Sequence, residues 1–143
     1  MKQYCIGTKI VLGLVMTRAE FLRYIDRAID PNTSGADDGY MVEYTDGGAP
    51  NHPDHAGFIS WCPKAQFESQ NLAIGDIGHL LPHQQRVIAE LEQLDDRIQK
   101  LELFLRTELF AGLPEDEQQL LKMQADAMVL YLGILNTRAA KFA

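Results

Sequence analysis

The chain has little cysteine, no excess of positive charge and no long apolar run, and each lack narrows what it does. Two cysteines in 143 residues give no disulfide framework. Two thiols in a reducing compartment are more often free than bridged, so Cys5 and Cys62 are expected as free thiols. No stretch of about 18 or more apolar residues offers a membrane span. The opening MKQYCIGTKIVLGLVMTRAEF is apolar only briefly, is broken by Gly and Lys, and has no small-residue cleavage site, so neither a span nor export is expected and the chain reads as cytosolic. Lys and Arg number 13 against 20 Asp and Glu, a formal net charge of −7. Proteins that grip duplex DNA present a basic face to displace counterions from phosphates, so this balance disfavours duplex DNA and none is expected as a partner. A small anion is not excluded, because a few convergent Arg or Lys side chains and backbone N–H groups hold one against an acidic background. Neither G-x-x-x-x-G-K-[ST] nor G-x-G-x-x-G occurs, and Gly47-Gly48 alone is too short to cradle a phosphate, which removes P-loop hydrolysis.

What is present reads as α+β. Hydrophobic residues at 46% and charged residues at 23% are those of a folding, globular chain. Residues 4–15, rich in Ile, Val and Leu, suit a bent strand. Thr17 with Glu20 three positions on is a capping box, and Phe21, Leu22, Ile25 and Ile29 give the helix that follows one apolar face until Pro31 stops it. Asp30 to Gly39 is a run of turn formers, expected to be a surface loop without fold information. Gly39 to Thr45 alternates as a strand into the turn Asp46-Gly47-Gly48, Gly57 to Trp61 is a second short strand, and Pro63 opens a short helix ending near Glu68.

After an aperiodic linker over residues 69–81 the pattern changes. Val87, Leu91, Leu94, Ile98, Leu101 and Leu105 alternate spacings of four and three, a heptad seam. Gly112 and Pro114 break the helix, and a second helix carries Leu121, Met128, Tyr131, Leu135, Ala139 and Phe142 on one face. The expected architecture is a small N-terminal sheet with short helices over residues 1–68, then a long antiparallel α-helical hairpin over 82–143. Modules of about 70 residues bury only about 60% of their unfolded surface, and a lone hairpin leaves half of each seam uncovered. Association of copies through residues 82–143 is therefore expected.

Three constellations carry possible chemistry. His52, Asp54 and His55 in NHPDH offer zinc-compatible donors, but in a loop, without a fourth ligand at a diagnostic spacing. Solvated histidines with Asn51 and Asp54 capping turns account for them, so no metal is expected. Cys62 with a histidine imitates a nucleophile pair, yet at a strand end it reads as a small buried residue. Tyr40, Tyr44, Phe58 and Trp61 gather aromatic surface near Lys64 and Asn51, a combination that stacks a base and holds a phosphate or ribose. In alternating strands half of those rings belong to the core. Among the hairpin's arginines, Arg86, Arg97, Arg106 and Arg138 form either salt bridges or, across an interface between copies, an anion site. Tyr40, Asn51, Trp61, Lys64 and Arg97 are thus the candidate ligand contacts, with no catalytic set and no resident cofactor expected.

Ile6-Gly7-Thr8-Lys9, Met16-Thr17-Arg18-Ala19-Glu20 and GYMVEYTDGGAPNHPDHAGFISWCPKAQFE together resemble a small module of tailed-phage accessory proteins, over most of residues 4–68. In those proteins the module often precedes a domain similar to a Thoeris anti-defence family, whose members sequester a cyclic ADP-ribose signal. That domain has no counterpart here, and Cys62 stands where the module commonly has Ser. LPHQQRVIAELEQLDDRIQKLELFL through LPEDEQQLLKMQADAMVLYLGILNTRAAKF is similar instead to a helical family of many phages, crAss-like ones included. The sequestering activity belongs to the missing domain and passes to no residue here, so what the resemblance implies is context, a phage counter-defence or host-takeover factor. With aromatic residues near Lys64, no catalytic set and a hairpin that needs partners, the leading expectation is a homo-oligomer in the host cytoplasm that binds and withholds a small nucleotide-derived signal. The alternative is an interaction module that inhibits or redirects a host protein through the hairpin.

Overall fold

The computed structural model describes residues 1–32 and 34–143. The chain forms two compact units, Met1–Asn71 and Leu72–Ala143.

The first unit is built on a three-stranded antiparallel sheet in the order β1 (Val11–Val15), β2 (Gly39–Tyr44), β3 (Phe58–Pro63). Side chains alternate across a strand, so register decides which residues share a face. Met41 pairs with Trp61 and Glu43 with Ile59, and these four point to one side. There α1 (Arg18–Tyr24) packs, with Phe21, Met41 and Ile59 buried among Met16, Tyr24, Ile25 and Trp61. The other side carries Tyr40, whose ring stacks on Phe67 of α2 (Lys64–Gln70) at 4.2 Å between centroids. Phe67 also lies over Gly13 of β1, where an added Cβ would sit 2.6 Å from the ring. A glycine in the strand is what lets the phenyl group approach this closely.

Strand β1 is shorter than its apolar content suggests. Val11 faces Tyr44, the last residue of β2, and beyond Tyr44 the chain turns off, so residues 4–10 have no ladder to join. Tyr4 and Ile6 are fully exposed there.

Helix α1 begins as expected. The Thr17 N–H donates to Glu20 Oε2 at 2.7 Å and the Glu20 N–H donates to Thr17 Oγ1 at 3.2 Å. It ends seven residues before Pro31, by a different device. Asp26 takes φ 55°, and the N–H groups of Asp26 and Arg27 donate back to the Arg23 and Leu22 carbonyls. This is a Schellman motif with aspartate in the left-handed position usually given to glycine. Nor is the loop after it without fold information. The Gly35 and Asp37 carbonyls accept from the N–H groups of Ala19 and Arg18, two first-turn donors that the helix itself leaves unmatched. Thr33, in that loop, lies outside the described residues.

The capping box makes the first test. Thr17→Ala is expected to destabilise the protein by about 0.5–2 kcal/mol, read from the urea midpoint. The Thr17 N–H also holds the Glu20 carboxyl below its ordinary value of 4.5. A carboxylate whose pKa is depressed by folding contributes stability above its unfolded pKa and loses it as pH falls through the folded pKa. The difference in melting temperature between the native chain and Glu20→Ala should therefore be full at neutral pH and close as the pH is taken down below 4.5.

The second unit is an antiparallel pair of long helices, α3 (Pro82–Phe104) and α5 (Glu115–Ala139), with a one-turn helix α4 (Glu108–Ala111) between them. Pro82 occupies the first helical position, where a missing N–H costs nothing. The Leu81 N–H is taken by Gln84 Oε1 at 3.0 Å, and the Gln85 amide donates to the Ile77 and Leu80 carbonyls at 3.1 Å each, tying the lead-in segment to the helix. At the far end the Gln118 amide donates to the Ala111 and Leu113 carbonyls and closes the turn. The core between the long helices is Val87, Leu94, Ile98 and Leu135, flanked by Leu91, Met128, Leu132 and Phe142. The architecture is α+β: a small sheet with short helices, then a long helical hairpin. Among the described residues no helix is long and apolar enough to cross a membrane.

Candidate functional site

Register separates the aromatic residues that the sequence groups. Trp61 lies on the α1 face of the sheet and Tyr40, paired with Cys62, on the α2 face, so they cannot stack on one ligand from a single side. The polar ends of the set are also engaged. Trp61 Nε1 donates to the Met16 carbonyl at 2.8 Å while the Arg18 guanidinium lies 5.9 Å from its ring centre. Tyr40 Oη donates to Glu68 at 2.9 Å, a bond that keeps the phenol protonated and raises its pKa above 10.0. Asn51 uses both ends of its amide on one residue, donating to the Ile59 carbonyl and accepting the Ile59 N–H, each at 2.8 Å. That pairing pins the long β2–β3 connection to the edge of β3. Lys64, the first residue of α2, has an exposed side chain.

The NHPDH segment forms a chain of hydrogen bonds instead of a converging ligand set. His55 sits between two partners, with Nε2 2.6 Å from Tyr24 Oη and Nδ1 against Glu43 Oε1. Glu43 Oε2 accepts the Gly57 N–H at 3.2 Å, and His52 stacks on the Tyr24 ring at 4.5 Å. Only 13% of the His55 side chain and 14% of that of Glu43 are exposed, so this charged and aromatic group is largely shielded from water. Both His55 nitrogens are occupied, and His52 Nδ1 accepts the Asp54 N–H at 3.2 Å. Among the described residues no three His, Cys, Asp or Glu side chains gather as a metal requires. The chemistry is that of a clasp, which fixes α1, β2 and the connecting loop to one another. Tyr24 and Glu43 escape sequence inspection because they stand 31 and 12 residues from His55, and only the fold brings them together. Cys62 is a half-buried free thiol on the opposite face of the sheet from this clasp.

In the second unit Arg97 is exposed on α3, its Nε 3.3 Å from the Gln93 carbonyl. The four hairpin arginines do not converge within one copy. Arg86 and Arg106 are separated by 20 residues of α3 and its end, about 30 Å at the helical rise. Arg138 belongs to the same end as Arg86, since Leu135 packs with Val87.

Helix α5 has a second apolar side. Leu120, Met123, Leu130 and Ile134 are exposed by 53–71%. On this side a shallow groove of about 520 Å³ is lined by Val129, Leu130, Gly133, Ile134, Thr137 and Arg138. The signal for it was in the sequence, in the spacing of those residues, but was hidden behind the stronger pattern that faces α3. Tyr131 marks the border between the two sides, with its hydroxyl donating to Glu90 of α3. That bond raises the Tyr131 pKa above 10.0.

With the geometry in place, comparison with known proteins falls on this unit alone. Residues 81–141 match the model of the Sequestin family. The match begins at Leu81, one residue before α3, and runs two residues past the end of α5, so it covers the whole hairpin and none of the sheet. No curated protein and no solved structure matches the chain.

Proposed function

We propose that the chain is a phage counter-defence protein that binds and withholds a small nucleotide-derived immune signal in the host cytoplasm, as a homo-oligomer and without turning the signal over. The observation that carries this is the Sequestin match over residues 81–141, a family whose name speaks of sequestration. On this reading the binding role falls to the hairpin, with Arg97 as a cationic side chain for an anionic ligand. The resemblance of residues 4–68 to a phage accessory module supplies the biological setting. Tyr40, Asn51, Trp61 and Lys64 are a second proposed locus. Since the structure engages three of their polar ends within the protein, Lys64 is the member to supply a free charge.

The test is the melting temperature of the full chain against cyclic oligonucleotides and cyclic ADP-ribose isomers. A ligand at 100 times its Kd adds about 2.7 kcal/mol, which for a chain of this size is a rise of roughly 5–10 °C. One compound should give that rise and be recovered chemically intact after the protein is denatured. Arg97→Ala should abolish the rise if the hairpin holds the signal, and Lys64→Ala with Trp61→Ala should abolish it if the first unit does. A compound recovered as a cleaved product would replace sequestration with turnover.

A further inference from the structure

We infer that α5 pairs antiparallel with α5 of a second copy, through the helix side that does not face α3. Leu120, Met123, Ala127, Leu130, Ile134 and Thr137 recur at spacings of three and four, the heptad pattern of a coiled-coil seam. The seam packed against α3 uses Leu121, Ala125, Met128, Leu132 and Leu135, so the two lie on roughly opposite sides of one helix. Leu130 at 71%, Leu120 at 63% and Met123 at 62% exposure form a continuous apolar stripe of a kind that monomers rarely leave uncovered.

The charges name the occupant. Helix α5 opens with Glu115, Asp116 and Glu117 and closes with Arg138, followed by Lys141. A two-fold axis placed between Met128 and Val129 sets Leu120 of one copy opposite Thr137 of the other, Met123 opposite Ile134, and Ala127 opposite Leu130. The same register sets Asp116 against Lys141 and, on the flank, Glu117 against Arg138, each twice by symmetry. Parallel pairing would instead put Glu117 beside Glu117 and Arg138 beside Arg138. The side chains of Leu120 and Met123 then enter the partner's groove between Leu130 and Thr137. Gly133 fits this arrangement as well. A Cβ at Gly133 would meet nothing within 4 Å in its own chain, yet glycine in a helix interior costs about 1 kcal/mol relative to alanine.

This pairing gives the homo-oligomer of the proposed function a surface, and it rests on that reading only for its purpose. Its test is the mass of the full chain without ligand, by light scattering on a sizing column, so it fails or stands separately from signal binding. The native chain should run at twice 16.1 kDa. Leu130→Glu should give a monomer with unchanged helical circular dichroism, since Leu130 is 71% exposed within one copy. Glu117→Arg should shift the population toward monomer, and adding Arg138→Glu should restore the dimer. A native chain that is monomeric at about 100 µM, a concentration far above the nanomolar to micromolar Kd of specific interfaces, overturns the pairing. So does a Leu130→Glu dimer, and so does a double charge swap that stays monomeric, which would place the contact elsewhere or in another register.

Discussion

Leu135→Ala is expected to destabilise the protein by about 2–5 kcal/mol, with a matching fall in the urea midpoint and loss of helical signal. Leu135 is 0% exposed and belongs to the buried cluster between α3 and α5, with Val87, Leu94 and Ile98. Truncation to alanine removes the buried methyl groups and leaves a void, which two rigid helices held by a short connection cannot collapse around. Domains of this kind have about 5–15 kcal/mol of stability in total, so the loss is a large share. Leu130→Ala, five residues away on the exposed side, should change the stability of a monomer by no more than about 0.5 kcal/mol. The contrast separates the seam inside one copy from the seam between copies. On the proposed reading, in which the hairpin holds the signal, Leu135→Ala should also abolish the ligand-induced rise in melting temperature.

Gly57→Ala should do comparable damage to the first unit, for reasons of space. A Cβ at Gly57 would lie 1.9 Å from the Tyr44 carbonyl oxygen and 2.9 Å from its carbon, both backbone atoms. A flexible side chain could swing aside, but a strand carbonyl moves only with its strand. Overpacking of this kind costs about 1–3 kcal/mol, and a backbone collision belongs at or above the top of that range. The Gly57 N–H also supplies Glu43 with one of its partners, so displacement loosens the clasp that holds His55. Hydrogen exchange should show lost protection along β2 and β3, while amides of α3 and α5 keep theirs. Retention of the ligand-induced rise in this variant would assign signal binding to the hairpin, and its loss would assign it to the sheet unit.

How much of this could be read from residues alone depended on how local the governing interaction is. The Thr17–Glu20 box and the seam through Val87, Leu94 and Ile98 are set by neighbours three and four positions apart, and both stand in the structure. The end of α1 is not legible, because Pro31 is a familiar stop signal and Asp26 in a left-handed conformation is not. Tyr40 and Trp61 looked like one aromatic site because composition carries no register. Only the pairing of Met41 with Trp61 shows that they face opposite ways. Tyr24 and Glu43 carried no local sign of their bond to His55. The outer stripe of α5 is legible in the spacing of Leu120, Met123, Leu130 and Ile134, but the pairing of α3 with α5 accounts for only one apolar face.

The loop carbonyls that complete the first turn of α1 also fix an order of events during synthesis. Arg18 and Ala19 wait for acceptors at Asp37 and Gly35, chain that leaves the ribosome later, at about 5–20 residues per second. β1 and β2 then wait for β3, which arrives after the long connection braced by Asn51. The sheet unit therefore closes only once β3 has emerged, and more slowly than the hairpin, as units rich in distant contacts do. The long helices grow turn by turn from contacts a few residues apart. A ribosome-bound chain cut short before Phe58 should have neither a finished α1 nor a sheet, however much time it is given.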